Sequence, residues 1–332
     1  MAASRETAAA DEVAVELLPF IRLYKSGRVE RLLGNDTVPA GLDAATGVAS
    51  KDVTLDPATN VSVRLYLPPA VSAGERLPVV VYFHGGGFMI ESAASPTYHR
   101  HLNALAARAR AVVVSVEYRR APEHPLPASY DDSWAALAWA VAAAACGAAA
   151  PGGGAAEPEP WLAAHGDASR VFLAGDSAGA NIAHNVAMRA AAAAGDLPPP
   201  PATIRGVLLM HPYFWDASDA MGAALEERIR REWRVMTGNP AAKVDDARLS
   251  PTLSPPSLAR LPAERVMVAV AEEDFLAPKG RAYHAALLAS GWRGEAELVD
   301  TAGEAHVFHL LQPATAAAAE LMDRVAAFLA RA

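Results

Sequence analysis

Five short, unbroken apolar runs recur along this chain: Pro78–Phe83, Ala111–Val116, Val171–Ala174, Val207–Met210 and Val266–Val270. A strand with one wet face alternates apolar and polar residues. An unbroken run therefore marks a strand covered on both faces, the habit of parallel sheets packed between helices. The stretches between the runs supply those helices: Ser129–Ala145, Ala178–Ala193, Lys279–Ser290 and Ala314–Ala330 all carry a helical pattern. Strand and helix in alternation predict an α/β fold, with a mostly parallel central sheet flanked by helices. Val61, Val63, Leu65 and Leu67 instead alternate with Ser62, Arg64 and Tyr66, the period of a half-buried strand. That strand precedes the alternation, so an antiparallel edge leading into the parallel core is expected. Earlier still, Val13, Leu17, Leu18, Ile21 and Tyr24 fall at helical spacing and Ser26-Gly27 stops them, which predicts an amphipathic helix packed on the body.

Two stretches fit neither pattern. Gly147–Pro160 is built of Ala, Gly, Pro and Glu and reads as a surface insertion. Residues 212–262 carry a charged, helix-like segment (Glu226 to Glu232) and then a Pro-rich run through Pro251, Pro255, Pro256 and Pro262. Inserted between two core strands, they are expected to lie outside the sheet. The organisation predicted is one domain over 1–332, with cap elements at about 12–26 and 212–262. At 332 residues such a domain can bury a sizeable core. A net charge of −8 argues against a nucleic-acid or anionic-membrane partner, since both need a basic face. The single cysteine, Cys146, allows no internal disulfide. Residues 1–11 lack the apolar run of a secretory signal, and a cytoplasmic location is the expectation.

Gly175-Asp176-Ser177-Ala178-Gly179 follows one apolar run and opens one helical stretch, the strand–turn–helix context of a nucleophile elbow. The flanking glycines suit a sharp turn with backbone passing close by. At the helix N-terminus, the Ser177 hydroxyl would meet a dipole that favours developing negative charge. His84-Gly85-Gly86-Gly87-Phe88 follows the run ending at Phe83. Bare glycine backbone there can aim N–H groups at an oxyanion, and Gly85, Gly86 and Gly87 with the N–H of Ala178 form the candidate oxyanion hole. A phosphate loop is the competing idea, but no Lys-Ser/Thr follows the glycines. His84 is expected to brace this loop.

A serine nucleophile needs a base, because its hydroxyl is barely ionised at neutral pH. Acid and histidine should follow the serine in that order, on loops after late strands. Asp274 follows the run 266–270, with Glu272 and Glu273 as weaker rivals, and His306 follows the strand-like 296–299. His309 is expected to pack against the last helix. His99 and His101 invite a metal reading that lacks a third ligand nearby.

Four motifs in order carry a resemblance over nearly the whole chain: His84–Phe88, Val116-Glu117-Tyr118-Arg119-Arg120-Ala121-Pro122-Glu123-His124-Pro125, Gly175–Asn181 and Gly303-Glu304-Ala305-His306-Val307-Phe308. The sequence resembles the plant carboxylesterases of the hormone-sensitive-lipase-like group. The resemblance implies an α/β-hydrolase fold, and a helical cap built from the N-terminus and the insertion after 207–210. It also implies a Ser177–Asp274–His306 triad, hydrolysis of short-chain carboxylic esters of small molecules, and no cofactor or metal. Two members of the group supply rival expectations. Gibberellin receptors resemble a lidded binding protein that has lost the catalytic histidine, whereas His306 stands here. Isoflavanone dehydratases carry threonine at the nucleophile, whereas Ser177 stands here.

Overall fold

The structure, a computed structural model, describes residues 12–146, 159–192, 204–216 and 222–331. The expectation for residues 1–11, and that for 147–158 of the surface insertion, lie outside the described residues. Glu159, at the end of the expected insertion, accepts from the Leu162 N–H at 2.8 Å and caps a short helix, Pro160–His165.

Eight strands form the main sheet: β4 (Ala49–Asp56), β5 (Val61–Leu67), β6 (Leu77–Phe83), β7 (Val112–Glu117), β8 (Gly166–Asp176), β9 (Ile204–Met210), β10 (Ala263–Ala271) and β11 (Glu295–Thr301). Their order is β11-β10-β9-β8-β6-β7-β5-β4. From β11 to β7 every neighbour is parallel, and β5 and β4 add the antiparallel edge. The long helices are α1 (Pro96–Ala109), α2 (Ala128–Cys146), α3 (Ala178–Ala192), α4 (Ala223–Thr237), α5 (Ala277–Ala289) and α6 (Ala316–Ala330).

The unbroken apolar runs have the cause their pattern implied. In β6, Val79, Val81 and Phe83 join one core cluster while Val80 and Tyr82 join the other, across the sheet. Each is fully buried, and burying a side chain of this size stabilises by roughly 1.5–3 kcal/mol. From residue 61 onward the expected strands and long helices fall at the expected places. β4 and α1 come in addition.

The N-terminal helix expected over 12–24 is not formed. In its place β1 (Val13–Leu17), β2 (Ile21–Tyr24) and β3 (Val29–Arg31) make a small antiparallel sheet. Pro19 is the physical reason. It has no N–H to give a helix, its ring clashes with the preceding turn, and it biases Leu18 away from α. The chain turns there, with the Phe20 N–H donating to Leu17 O at 2.8 Å. The register Val15↔Leu23 and Leu17↔Ile21 then turns Leu17 and Ile21 inward, where both are buried. Arg31 of β3 ties this sheet to the body, donating to Met89 O at 2.7 Å and gripping Glu123 with both terminal nitrogens. Within 212–262, α4 buries Ile229, Glu232, Trp233 and Met236, one face of a helix at 3.6-residue spacing.

Candidate active site

Parallel strands present their carboxyl ends at one edge, and ligands of open α/β sheets collect there. Ser177 follows β8, His84–Gly87 follow β6, His211 follows β9, Asp274 follows β10 and His306 follows β11. β6 and β8 are neighbours, with Phe83 opposite Gly175. The Gly-rich loop and the serine turn therefore leave adjacent strands side by side.

Crowding accounts for both glycines around the serine. A Cβ on Gly179 would fall onto the carbonyl oxygen of Phe83, and one on Gly175 would stand 2.5 Å from the backbone of Gly179. Ser177 itself sits at φ 53°, a left-handed conformation that costs a non-glycine residue about 1–3 kcal/mol. Its N–H donates to Met210 O at 2.9 Å, and its carbonyl accepts from Tyr213 and Asn181 at 3.0 and 3.2 Å.

His306 Nε2 lies 3.0 Å from Ser177 Oγ, and His306 Nδ1 lies 2.6 Å from Asp274 Oδ2. Asp274 is buried, and its other oxygen accepts the Leu276 N–H at 2.9 Å. Glu272 and Glu273 both face solvent. Glu272 accepts from the Gly303 N–H at 2.9 Å, bracing the loop that presents His306.

Peptide planarity sets where the nearby N–H groups point, because C=O and N–H lie on opposite sides of a trans peptide. The Gly85 carbonyl is held by His84 Nδ1 at 2.8 Å, which sends the Gly86 N–H the other way. The Gly86 carbonyl accepts from Met89 and Ile90, both at 3.0 Å, and does the same for Gly87. The Ser177 carbonyl, held as above, does so for Ala178. None of the Gly86, Gly87 and Ala178 amides has a protein acceptor among the described residues outside its own helix. Gly85 differs. Its N–H donates to Tyr98 Oη at 2.7 Å, so of the four expected donors this amide is already engaged within the protein.

A cavity of about 240 Å³ opens over Ser177 and His306, and Gly86 and Gly87 line it. Phe20 from the β1–β2 turn, Tyr213 and Phe275 wall it, and Arg228 and Glu232 of α4 add a charged pair joined at 2.8 Å. Of the four aromatic residues 88 and 213–215, only Tyr213 lines this cavity, while Phe88, Phe214 and Trp215 belong to the core.

The remaining histidines divide clearly. His84 stacks on Tyr118 at 4.2 Å, and burial pushes it down to about 3, so it stays neutral. His309 is buried beside His101 and His211 and faces Ala318, Leu321 and Val325 of α6. His211 is a site residue that the sequence reading does not single out. Its Nδ1 accepts the Val307 N–H at 2.7 Å and so positions the residue next to His306. Burial holds it neutral too, at about 3. Its place just after a parallel strand is the signal that could have found it. Among the described residues, the one cluster with three metal-ligating side chains is His211, Asp274 and His306. The His211 lone pair there is already taken by Val307, and His306 bridges Asp274 and Ser177, so hydrogen bonds already occupy these donors.

Comparison with known proteins agrees with this architecture. Residues 80–310 match a family described as having the alpha/beta hydrolase fold. The chain is 46% identical to tuliposide A-converting enzyme 1, chloroplastic, of Tulipa gesneriana, over 97% of this chain and 80% of that protein. It is 44% identical to probable carboxylesterase 13 of Arabidopsis thaliana, over 96% of this chain and 98% of that one. The crystal structure of EstE1, a thermophilic carboxylesterase from a metagenomic library, superposes with a TM-score of 0.67 at 27% identity, covering 88% and 90% of the two chains. No described helix is long and apolar enough to cross a membrane. A sheet whose strand ends gather a serine, a histidine and a carboxylate, in a chain with these relatives, belongs to the alpha/beta hydrolase family, among its plant carboxylesterases, and is a carboxylic ester hydrolase.

Proposed function

We propose that Ser177 is the nucleophile, His306 its base and acid, and Asp274 the group that orients His306, in hydrolysis of short-chain or small-molecule carboxylic esters through an acyl-enzyme. The observation that carries this reading is the continuous relay from Ser177 Oγ through His306 to the buried Asp274. As Oγ attacks the ester carbonyl carbon, its proton passes to His306 Nε2. Asp274 holds the imidazole in the tautomer with Nε2 free and stabilises the imidazolium. The Gly86, Gly87 and Ala178 amides receive the oxyanion, where losing one donor costs about 10²–10³ in rate. The alcohol leaves with the His306 proton. Water then gives a proton to His306 and attacks the acyl carbon, and Ser177 recovers its hydroxyl as the acid departs.

The N-terminal sheet, through Phe20, and the 212–262 segment, through α4, act as a cap over this cavity within one domain. Tuliposide A, named for a relative, belongs in the first substrate panel with p-nitrophenyl acyl esters. A cytoplasmic location is part of the same reading, although that relative's name places it in chloroplasts. The receptor and dehydratase readings draw no support from a site that keeps both His306 and Ser177. Ser177→Ala should abolish turnover and fluorophosphonate labelling while the protein stays folded. A folded Ser177→Ala with unimpaired turnover refutes the assignment.

A further inference from the structure

Asp176 precedes the nucleophile and is almost fully buried, yet the relay above does not use it. Its Oδ1 accepts from Tyr82 Oη and its Oδ2 from Tyr98 Oη, each at 2.9 Å. Tyr98, in the first turn of α1, is also buried, and its hydroxyl oxygen takes the Gly85 N–H at 2.7 Å. One oxygen atom thus links the residue before Ser177 to the residue before the free amides of Gly86 and Gly87. We propose that Asp176 and Tyr98 are positioning residues, a clamp that fixes the distance between the Ser177 hydroxyl and the amides that receive the oxyanion. The inference rests on the proposed mechanism.

The chemistry of the carboxylate gives the clamp its direction. An ionised carboxylate only accepts, so both tyrosine hydroxyls must donate toward it. Tyr98 is then left with lone pairs alone to offer Gly85, and the hydrogen bond from Gly85 N–H can have only one sense. An amide at 176 would offer N–H groups of its own and compete with Gly85 for a tyrosine oxygen. There is no slack in this arrangement. A Cβ on Gly85 would collide with Asp176 Oδ2 and stand 2.9 Å from Tyr98 Oη. On the far side of the loop, Tyr118 Oη donates to His84 O at 2.7 Å, so the peptide before Gly85 is held at both ends. Burial pushes the Asp176 carboxyl up to about 6. A buried ionisable group is costly to keep, and packing alone would be met by an apolar residue of that size.

Tyr98→Phe removes the single oxygen and keeps the ring. Small displacements of catalytic groups and single lost oxyanion donors each cost orders of magnitude in rate, and kcat should fall about 10- to 100-fold with KM little changed. A trifluoromethyl ketone ester analogue separates positioning from mere structure. Ser177 Oγ adds to its carbonyl carbon, the proton passes to His306, and the resulting alkoxide needs the same amides as the reaction. Its affinity should fall by the same factor as kcat/KM, while a non-reactive ester isostere binds as to wild type. Asp176→Asn should show the same pattern, and it is the variant to read if Tyr98→Phe does not fold. A folded variant with wild-type kcat/KM overturns the clamp, as does one whose kcat falls while trifluoromethyl ketone affinity holds. Wild-type protein that neither labels with fluorophosphonate nor turns over would instead overturn the parent mechanism, before any variant is compared.

Discussion

Replacing Asp274 by asparagine tests the base more sharply than deleting it, because shape is kept and only charge and proton acceptance change. In the structure, Asp274 Oδ2 stands 2.6 Å from His306 Nδ1. When the imidazole takes the serine proton, it becomes a cation facing that carboxylate. At this separation and an effective dielectric near 20, the attraction is about 6 kcal/mol. The His306 side chain is 31% exposed, and solvent screening trims the figure to about 4–5 kcal/mol. Each 1.36 kcal/mol is tenfold in rate, so kcat should fall by about 10³–10⁴. Tautomer reversal acts in the same direction. An asparagine N–H facing Nδ1 would force the ring proton onto Nε2, the nitrogen that has to accept from Ser177. The assay is p-nitrophenyl acetate turnover at pH 7.5, with thermal unfolding as the control for folding. A folded variant retaining more than one-tenth of wild-type kcat would refute the orienting role, and Glu272 or Glu273 would need testing in its place.

Gly179→Ala should give little soluble protein, because its Cβ meets the Phe83 carbonyl and neither the strand nor the elbow can yield; normal yield and melting temperature would show that the turn has slack. Burial pushes His84, His184 and His211 down to about 3 and His101 down to about 4. Below about pH 6.5 the unfolded chain therefore takes up protons the folded one refuses, and by pH 5 each costs about 2 kcal/mol of stability. Asp176, raised to about 6, has the opposite sign and returns about 1–2 kcal/mol over the same interval. Denaturant midpoints should drop steeply between pH 7.5 and 5, and equal midpoints would contradict the burial of these rings. Phe20→Ala should widen the cavity and move kcat/KM toward longer p-nitrophenyl acyl chains, with labelling of Ser177 unchanged; an unmoved preference would show that Phe20 is not a wall.

Much of the fold is legible along the chain because both faces of the parallel strands are covered, and water-facing strands or loops could not carry unbroken Val and Leu runs. Ser177, Asp274 and His306 can be picked out by chain order, since each sits just past a strand whose pattern is plain. β4 escapes because it is an edge strand whose Lys51, Asp52 and Asp56 look like loop. The segment 12–24 reads wrongly as a helix because Leu17, Ile21 and Tyr24 satisfy that spacing while Val13, Val15 and Leu17 equally satisfy a strand. Pro19 decides between the two, and spacing alone gives it no weight. Tyr98 and Arg228 come from separate segments that only the folded chain brings to the cavity, as it brings His211 to the Val307 N–H. The set of amides facing the cavity is beyond reach for a different reason. Which amide stays free depends on what its N–H and the carbonyl of its own peptide are tied to, and the Gly85 N–H is tied to a tyrosine 13 residues away.

The β1–β2 turn places Phe20 over the nucleophile, but its three strands pair only with one another and with none of the eight that end at the reacting groups. One wall of the cavity is thus carried by backbone separate from the strands that end at the serine, the imidazole and the carboxylate. A side chain at the tip of that small sheet can be exchanged without disturbing any strand that carries the serine, the imidazole or the carboxylate. A lineage exploring new esters could vary what enters while leaving bond breaking untouched.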